Sequence, residues 1–295
     1  MFKIDGPLLI AANHPNSFLD AIILATLFKK PVYSLTRGDV FAGKFYKKVL
    51  SSLHMLPVYR LTEGAENLGH NYTTFSLCKE IFKKNGIVLI FSEGQCINEW
   101  HLRSLKKGTA RLAISAWQDQ IPLKILPLGL NYSSFLTFGK NLQLNFGNII
   151  CEEDFSGGNS HGKSISQFND KLQAQLNELV IEIDKKDKAA IEAKFVVAQP
   201  LWKKTLLFIP AIAGWLFHFA LYLPLKKYCL KKMAHIDHYD SVLIGSLFIL
   251  YPVYLLLLST LLYLLTRNYF SFFLIALLPF CAWSYVQVKH QFEKN

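Results

Sequence analysis

The sequence predicts an α/β domain, with a mixed and largely parallel sheet flanked by helices, followed by a C-terminal α-helical membrane module. Two observations support this fold class. Short apolar runs alternate with helical stretches through residues 1–200, a pattern typical of parallel sheets. Residues 201–295 are instead dominated by long apolar segments. A chain of 295 residues has room for one large domain and such an appendage.

The first strand is the apolar run 7–12, and it ends in a polar turn that begins a helix over 19–28. The clearest buried strand is 87–91, which directly follows the helix stop at Asn85 and Gly86. Further strands are expected at 31–36, 55–59, 123–130 and 142–146, and further helices at 38–50, 70–84, 105–117 and 164–188.

We place one domain, with the composition of an ordinary soluble domain, over residues 1–200 and a membrane-associated helical module over residues 201–295. The apolar segments of the module are 205–225, 241–265 and 269–288. The last two are long enough to span a bilayer, and only a tight turn separates them, so they should form a hairpin.

Segment 205–225 has lysines on both sides, so a single crossing would place one basic cluster outside. The positive-inside tendency therefore favours a re-entrant or interfacial segment, with three plain spans as the alternative. In the favoured arrangement the protein is integral to the membrane, and its first domain lies on the cytoplasmic face.

The formal net charge is +11, and the module carries nine basic residues against three acidic ones. Excess positive charge beside apolar segments favours an anionic lipid bilayer as partner. No motif supports nucleic acid as a partner. The five cysteines are scattered without redox spacing, and no His, Cys or carboxylate spacing suggests a metal site.

Polar residues follow three of the predicted strands directly: His14, Arg60 and the pair Glu93 and Gly94. Because ligands of parallel sheets bind beyond the carboxyl ends of the strands, these residues should share one site. His14 and Asp20 could form a general-base pair, in which the carboxylate orients the ring. Taken alone, a histidine near a helix start is more often a capping or surface residue.

The residues from Asn13 to Asp20 resemble the first motif of the glycerophospholipid acyltransferase superfamily. Four further stretches resemble its later motifs in the same order: 55–60, 91–94, the basic helix 105–113 and the proline-centred strand 125–129. The resemblance covers about residues 7–135 and implies a glycerolphosphate acyltransferase-like fold.

The resemblance implies that His14 deprotonates a hydroxyl of the acceptor, which then attacks an acyl thioester, while Asp20 orients His14. No acyl-enzyme is implied, and no cofactor. Acyl-CoA or acyl carrier protein would be the donor and co-substrate.

The resemblance also implies substrate-binding residues. Arg60 would bind the acceptor phosphate through two charge-assisted hydrogen bonds. Glu93 and Gly94 would position the acceptor. Lys106 and Lys107 would add positive charge, although a solvated helix face is an equal alternative for them.

Three departures from the family pattern bear on the substrate. Five residues separate His14 from Asp20 where four are usual, as in some glycerol-phosphate acyltransferases. Gln95 and Cys96 stand where the third motif usually continues with threonine and arginine. Relatives commonly carry an N-terminal membrane-docking segment; here we expect the C-terminal module to serve instead, or the chain to be short at its start.

The leading interpretation is a membrane-bound O-acyltransferase that acylates lysophosphatidate in phospholipid biosynthesis. The long His–Asp spacing favours glycerol-3-phosphate as an alternative acceptor, and the missing arginine favours a lyso-aminolipid. A non-catalytic membrane protein that retains the fold is the alternative of another class.

Overall fold

The structure is a computed structural model that describes residues 6–59, 69–155, 161–233 and 237–289. Six strands form one sheet: β1 (Leu8–Ala12), β2 (Val32–Arg37), β3 (Met55–Val58), β4 (Ile87–Phe91), β5 (Lys124–Tyr132) and β6 (Leu142–Phe146). Their order is β3-β2-β4-β1-β5-β6. The pairs β1–β4, β1–β5, β2–β3 and β2–β4 are parallel, and an antiparallel bridge joins Ile125 to Ile150. The predicted mixed, largely parallel sheet is confirmed.

Among the described residues, six helices precede the apolar module: α1 (Phe18–Ala25), α2 (Lys44–Ser52), α3 (Gly69–Lys83), α4 (Gly108–Gln118), α5 (His161–Leu179) and α6 (Lys188–Phe195). The helix expected over 38–50 is divided. A 3₁₀ turn, Gly38–Phe41, comes first, and α2 begins after Gly43, whose φ of 93° is incompatible with a continuous helix.

The chain forms two compact units. The first comprises Met1–Asn131 and Gln143–Lys186, and the second comprises Tyr132–Leu142 and Asp187–Asn295. The domain boundary at residue 200 stays a prediction from composition.

The core of the first unit lies on both faces of the central strands. Every side chain of β1 is buried, and β4 is buried except at Phe91. Both strands are continuous apolar runs because helices cover both faces of a parallel sheet. The largest contributors to the surrounding cluster are Phe82, Leu112, Trp117, Phe168, Leu172 and Leu176. Each fully buried large side chain stabilises the fold by about 1.5–3 kcal/mol, so the strand ends that carry the polar loops are firmly held.

Helix α5 ends at Leu179, so the prediction that it continues to 188 is wrong. The carbonyl oxygen of Leu179 accepts hydrogen bonds from Asn131 Nδ2 (2.9 Å) and Asn145 Nδ2 (2.8 Å). The Oδ1 atom of Asn131 accepts from the amide of Ile181 at 2.8 Å. These bonds from β5 and β6 replace helical partners, and the backbone leaves the helix there.

In the described part of the second unit, three helices are long and apolar enough to cross a membrane. They are α7 (Leu201–Met233), α8 (Tyr239–Thr266) and a last segment Tyr269–Val288, in which a 3₁₀ turn leads into α9 (Leu274–Val288). Helix α7 packs along α9. At this crossing a Cβ on Gly214 would lie 2.1 Å from the carbonyl oxygen of Cys281, so only glycine permits the approach.

The segment 205–225, expected to be re-entrant or interfacial, lies inside α7. This helix continues through Pro210 and Pro224, and the chain does not reverse direction within it. A re-entrant segment requires such a reversal. The interfacial arrangement and a full span both fit a continuous helix, and the choice between them stays a prediction.

The connection between β5 and β6 belongs to the second unit. Within that unit, Lys140 Nζ lies 2.5 Å from the carboxylate of Asp240 near the start of α8, and both side chains are buried. Asn141 Nδ2 donates to the carbonyl of Phe195 at 3.1 Å. Removing one partner of such a buried pair leaves an uncompensated charge, so this contact should hold the connection firmly against α8.

Candidate active site

The site is built at the carboxyl ends of the three central strands. In the register of the sheet, Ala12 at the end of β1 pairs with Phe91 at the end of β4 and with Leu128 of β5. The residues that follow β1 and β4 therefore leave the sheet side by side. This is the edge at which parallel sheets bind ligands.

His14 and Asp20 are in direct contact. His14 Nδ1 lies 2.9 Å from Asp20 Oδ2, and the five intervening residues do not prevent the pairing. The same oxygen accepts the amide of Asn16 at 2.8 Å. Asp20 is fully buried, while the side chain of His14 is 19% exposed. When Nδ1 donates its proton to Asp20, Nε2 is the nitrogen that can accept a proton.

The loop between β1 and α1 brings Asp20 back towards His14. Ser17 has a φ of 54°, which non-glycine residues seldom adopt, and helix α1 begins at the next residue. Asp20 then lies in the first turn of α1, where the helix dipole favours a carboxylate. The amide of Ser17 donates to Cys96 Sγ at 3.0 Å, and the amide of Ile97 donates to the carbonyl of His14 at 3.2 Å. The loops after β1 and β4 are thus bonded to each other.

Phe91, the last residue of β4, lies flat against the imidazole. The ring centroids of Phe91 and His14 are 3.8 Å apart, and the planes are inclined by 10°. Together with the hydrogen bond to Asp20, this stacking fixes both the plane and the rotation of the His14 ring.

Glu93 binds backbone amides with both carboxylate oxygens. Oε2 accepts from the amide of His14 at 2.6 Å, and Oε1 accepts from the amide of Arg103 at 2.8 Å. Only 5% of Glu93 is exposed, and this burial raises its pKa, although the two amide bonds oppose the rise. These contacts favour a positioning role for Glu93. The direct role in acceptor binding stays a prediction.

Three further predicted site residues, Gly94, Lys106 and Lys107, lie between β4 and α4. Gly94 has a φ of 66°, and a Cβ there would lie 3.0 Å from Lys106 Cγ. The amide of Lys106 donates to the carbonyl of Ser92 at 2.8 Å, so Lys106 follows the same loop, while its side chain and that of Lys107 are exposed. Arg60 lies outside the described residues.

A shallow pocket beside Glu93 contains residues to which no role was predicted. Its lining is Asn13, Pro15, Glu93, Ile97, Glu99, His101 and Arg103. Arg103 Nε donates to Glu99 Oε1 at 2.5 Å, and His101 Nδ1 lies 2.7 Å from Glu182. The available signal was a run of charged residues between the third motif and the basic helix, but only the fold of the 94–107 loop brings them to Glu93.

Asn13 links the site to β5. Its Nδ2 donates to the carbonyl of Leu130 at 3.1 Å, and its Oδ1 accepts the amide of Leu130 at 2.7 Å. The side chain is buried and thereby extends the sheet by one residue beyond β1. The position of Asn13 in the first motif indicates a functional residue. Its pairing with Leu130, however, depends on the order of the strands, which the sequence does not show.

Among the described residues, no group of three or more His, Cys, Asp or Glu side chains is arranged to hold a metal ion. The prediction that the reaction needs no metal stays a prediction.

Comparisons with known proteins place the first part of the chain among acyltransferases. Residues 2–131 match the family model described as Acyltransferase. Over 145 residues, or 49% of this chain, the sequence is 25% identical to a protein of Arabidopsis thaliana, a chloroplastic 1-acyl-sn-glycerol-3-phosphate acyltransferase. The match spans 38% of the length of that plant protein. The family match runs from β1 through most of β5 and includes the residues His14, Asp20 and Glu93, so this part of the chain is similar to acyltransferases and supports the resemblance to the glycerophospholipid acyltransferase superfamily.

Proposed function

We propose that this protein is an acyltransferase that moves a fatty acyl group from an acyl thioester to the hydroxyl of lysophosphatidate. The observation that carries this proposal is the contact between His14 Nδ1 and the buried Asp20 carboxylate, which leaves Nε2 as the proton acceptor. The name of the plant relative supports an acylglycerol phosphate as acceptor.

In the proposed reaction, His14 Nε2 takes the proton of the acceptor hydroxyl while the hydroxyl oxygen attacks the thioester carbonyl carbon. The tetrahedral intermediate then collapses, and its C–S bond breaks. The departing thiolate takes the proton from the imidazolium, so the products are the ester and a free thiol. Asp20 stabilises the imidazolium between these steps, and no acyl-enzyme forms.

Glu93 acts on this reaction through position. By binding the amides of His14 and Arg103, it sets the distance between the general base and the pocket loop. Arg60, Lys106 and Lys107 supply the positive charge for the acceptor phosphate, and Gly94 leaves room beside Lys106 for the acceptor to approach.

The membrane supplies the acceptor. Three helices are apolar and long enough to cross a bilayer, and they keep the acyltransferase domain at a lipid surface. The lysines around α7 favour a cytoplasmic position of that domain. No cofactor takes part, and the acyl donor is acyl-CoA or acyl carrier protein.

A lyso-aminolipid is the second candidate acceptor, because the pocket beside Glu93 contains charges of both signs. Arg103 and Glu99 are paired with each other, and a lyso-aminolipid would replace this ion pair by binding its phosphate or carboxylate to the guanidinium and its ammonium group to the Glu99 carboxylate. Glycerol-3-phosphate remains the alternative that the long His–Asp spacing favours.

The test is acyl transfer by the full-length chain in membranes, with wild type and His14→Ala side by side. Labelled acyl-CoA and labelled acyl carrier protein are each offered with lysophosphatidate, glycerol-3-phosphate or a lyso-aminolipid. Transfer that disappears in the variant supports the enzyme and identifies donor and acceptor. No transfer to any acceptor by correctly folded protein would favour a non-catalytic membrane protein that retains the fold.

A further inference from the structure

Helix α2 exposes a large apolar surface in the first unit. Phe45 is 73% exposed, Tyr46 is 62% exposed, and Val49 and Leu53 each expose more than a third of their surface. Helix α2 contains no buried residue at all. Packing against the rest of the domain therefore does not explain why this helix carries aromatic and aliphatic side chains.

The apolar and basic residues of α2 lie on different sides. At about 100° per residue, positions 45, 46, 49 and 53 fall within less than half of the circumference. Lys44, Lys47 and Lys48 occupy the opposite arc. An amphipathic helix of this kind, with aromatic residues on one side and lysines on the other, is typical of segments that lie in a membrane interface.

A partner for the apolar face would also add to the stability of α2, which within the domain makes several contacts only with β3 and the preceding 3₁₀ turn among the described elements. Isolated helices shorter than about 12 residues are marginal in water, and α2 has nine. Its N-cap residue, Gly43, provides no side-chain cap. Burial of the apolar face elsewhere would supply the stabilisation that packing within the domain does not.

An anionic bilayer fits both the apolar side and the basic side of α2. Aromatic and aliphatic side chains enter the boundary between headgroups and acyl chains, and lysines bind lipid phosphates. In the described part of the same chain, three helices are long and apolar enough to cross a membrane. An acidic carrier protein would satisfy the lysines but would leave the role of Phe45 and Tyr46 unexplained.

We propose that α2 is an interfacial membrane-docking helix, with Phe45, Tyr46, Val49 and Leu53 in the headgroup boundary and its three lysines at the level of the lipid phosphates. This docking does not depend on the reaction proposed above. It adds a second membrane contact to the chain, within the acyltransferase domain itself.

The first test is photo-crosslinking of the full-length chain in nanodiscs that contain anionic and zwitterionic lipids. A benzophenone amino acid replaces Phe45 or, as the matched control on the opposite face, Lys48. Phe248, which is 82% exposed in the apolar helix α8, is the positive control. We expect lipid adducts by mass spectrometry at 45 and 248, with a yield at least several-fold lower at 48.

Lipid adducts at 248 but not at 45 would overturn the docking proposal. Crosslinking at 45 to added acyl carrier protein or to a second copy of the chain, in place of lipid, would overturn it as well. The same experiment in a His14→Ala background should give the same adducts, so a failure of docking is distinguishable from a failure of the proposed reaction.

The second test addresses the charge. Replacing Lys44, Lys47 and Lys48 together by Gln should lower the adduct yield at 45 several-fold in anionic nanodiscs and little in zwitterionic ones. Replacing three other exposed lysines, Lys29, Lys84 and Lys163, serves as the control and should leave the yield unchanged. An equal loss with both sets of substitutions would contradict the assigned role of the α2 lysines.

Discussion

Two buried carboxylates contact His14, one from the start of α1 and one from the loop after β4, and they bind different parts of it. Asp20 in the first turn of α1 contacts the imidazole, whereas Glu93 in the loop after β4 contacts the backbone amide of His14. The first carboxylate can influence the charge and tautomer of the ring. The second binds the backbone of His14 and so influences where the ring lies, although its charge also interacts with that of the ring. The two contacts can therefore be tested separately.

Removal of the His14 imidazole should have the largest effect on kcat. We expect His14→Ala to lower kcat by about 10⁴-fold, the upper range for loss of a general base. Affinity for the acceptor should change little, because the ring contributes mainly in the transition state. Initial rates at saturating acceptor, with circular dichroism as a control for folding, measure this effect. A residual rate within tenfold of wild type would exclude His14 as the base.

Loss of the Asp20 carboxylate, which contacts the His14 ring, should have the second-largest effect on kcat. Asp20→Asn keeps the size of the side chain but no longer stabilises the imidazolium, so we expect kcat to fall by about 10³-fold. Asp39→Asn is the matched control, since Asp39 is an exposed aspartate of the same domain that pairs with Arg37. That control should retain wild-type activity. Similar losses in both variants would indicate a general effect of carboxylate removal.

Loss of the Glu93 carboxylate, which binds backbone amides, should lower kcat less than loss of the Asp20 carboxylate but should lower stability more. In Glu93→Gln the amide nitrogen cannot accept the N–H of His14 or Arg103, so one charge-assisted hydrogen bond is lost. We expect about 2 kcal/mol less unfolding free energy and a kcat about tenfold lower, with an unchanged pH profile of kcat. Denaturant titration and steady-state kinetics measure the two. A 10³-fold loss of activity at full stability would assign Glu93 to the chemistry instead.

Because the pKa of Glu93 is raised, the stability difference between wild type and Glu93→Gln should depend on pH. Because burial raises that pKa, the folded protein keeps a proton that the unfolded chain releases. The resulting stability is fully present below the ordinary carboxyl pKa of about 4.3 and is lost as pH rises through the raised value. The difference in unfolding free energy between wild type and Glu93→Gln should therefore narrow as pH rises through this interval. A constant difference would contradict the raised pKa.

The smallest effect should come from loss of the hydrogen bond between the Ser17 amide and the Cys96 sulfur. Cys96 Sγ accepts the amide of Ser17 at 3.0 Å, but sulfur is a weak acceptor. We expect Cys96→Ala to change kcat less than about threefold and the unfolding free energy by less than about 1 kcal/mol. A larger loss would show that contact between the loops, rather than either carboxylate, controls the position of His14.

The sheet and the edge that carries the site could be predicted from sequence, because apolar runs and strand ends are local signals. The runs containing β1 and β4 were identified, and with them the neighbourhood of His14 and Glu93. The roles of the side chains could not be predicted in the same way. Glu93 binds two amides, and Asn13 binds Leu130, only because β1 lies between β4 and β5. Helix α5 ends early for the same reason, since Asn131 and Asn145 are brought to Leu179 by the sheet.

The parallel stacking of Phe91 on His14 has a consequence for measurement. An aromatic ring current shields nuclei that lie above its face, and the imidazole centroid lies 3.8 Å from that of Phe91. The carbon-bound protons of His14 should therefore resonate upfield of an ordinary histidine and stand apart from those of the other eight histidines. The fold therefore provides a magnetic label on His14, and loss of the upfield shift in a variant would report loss of the stacking on Phe91.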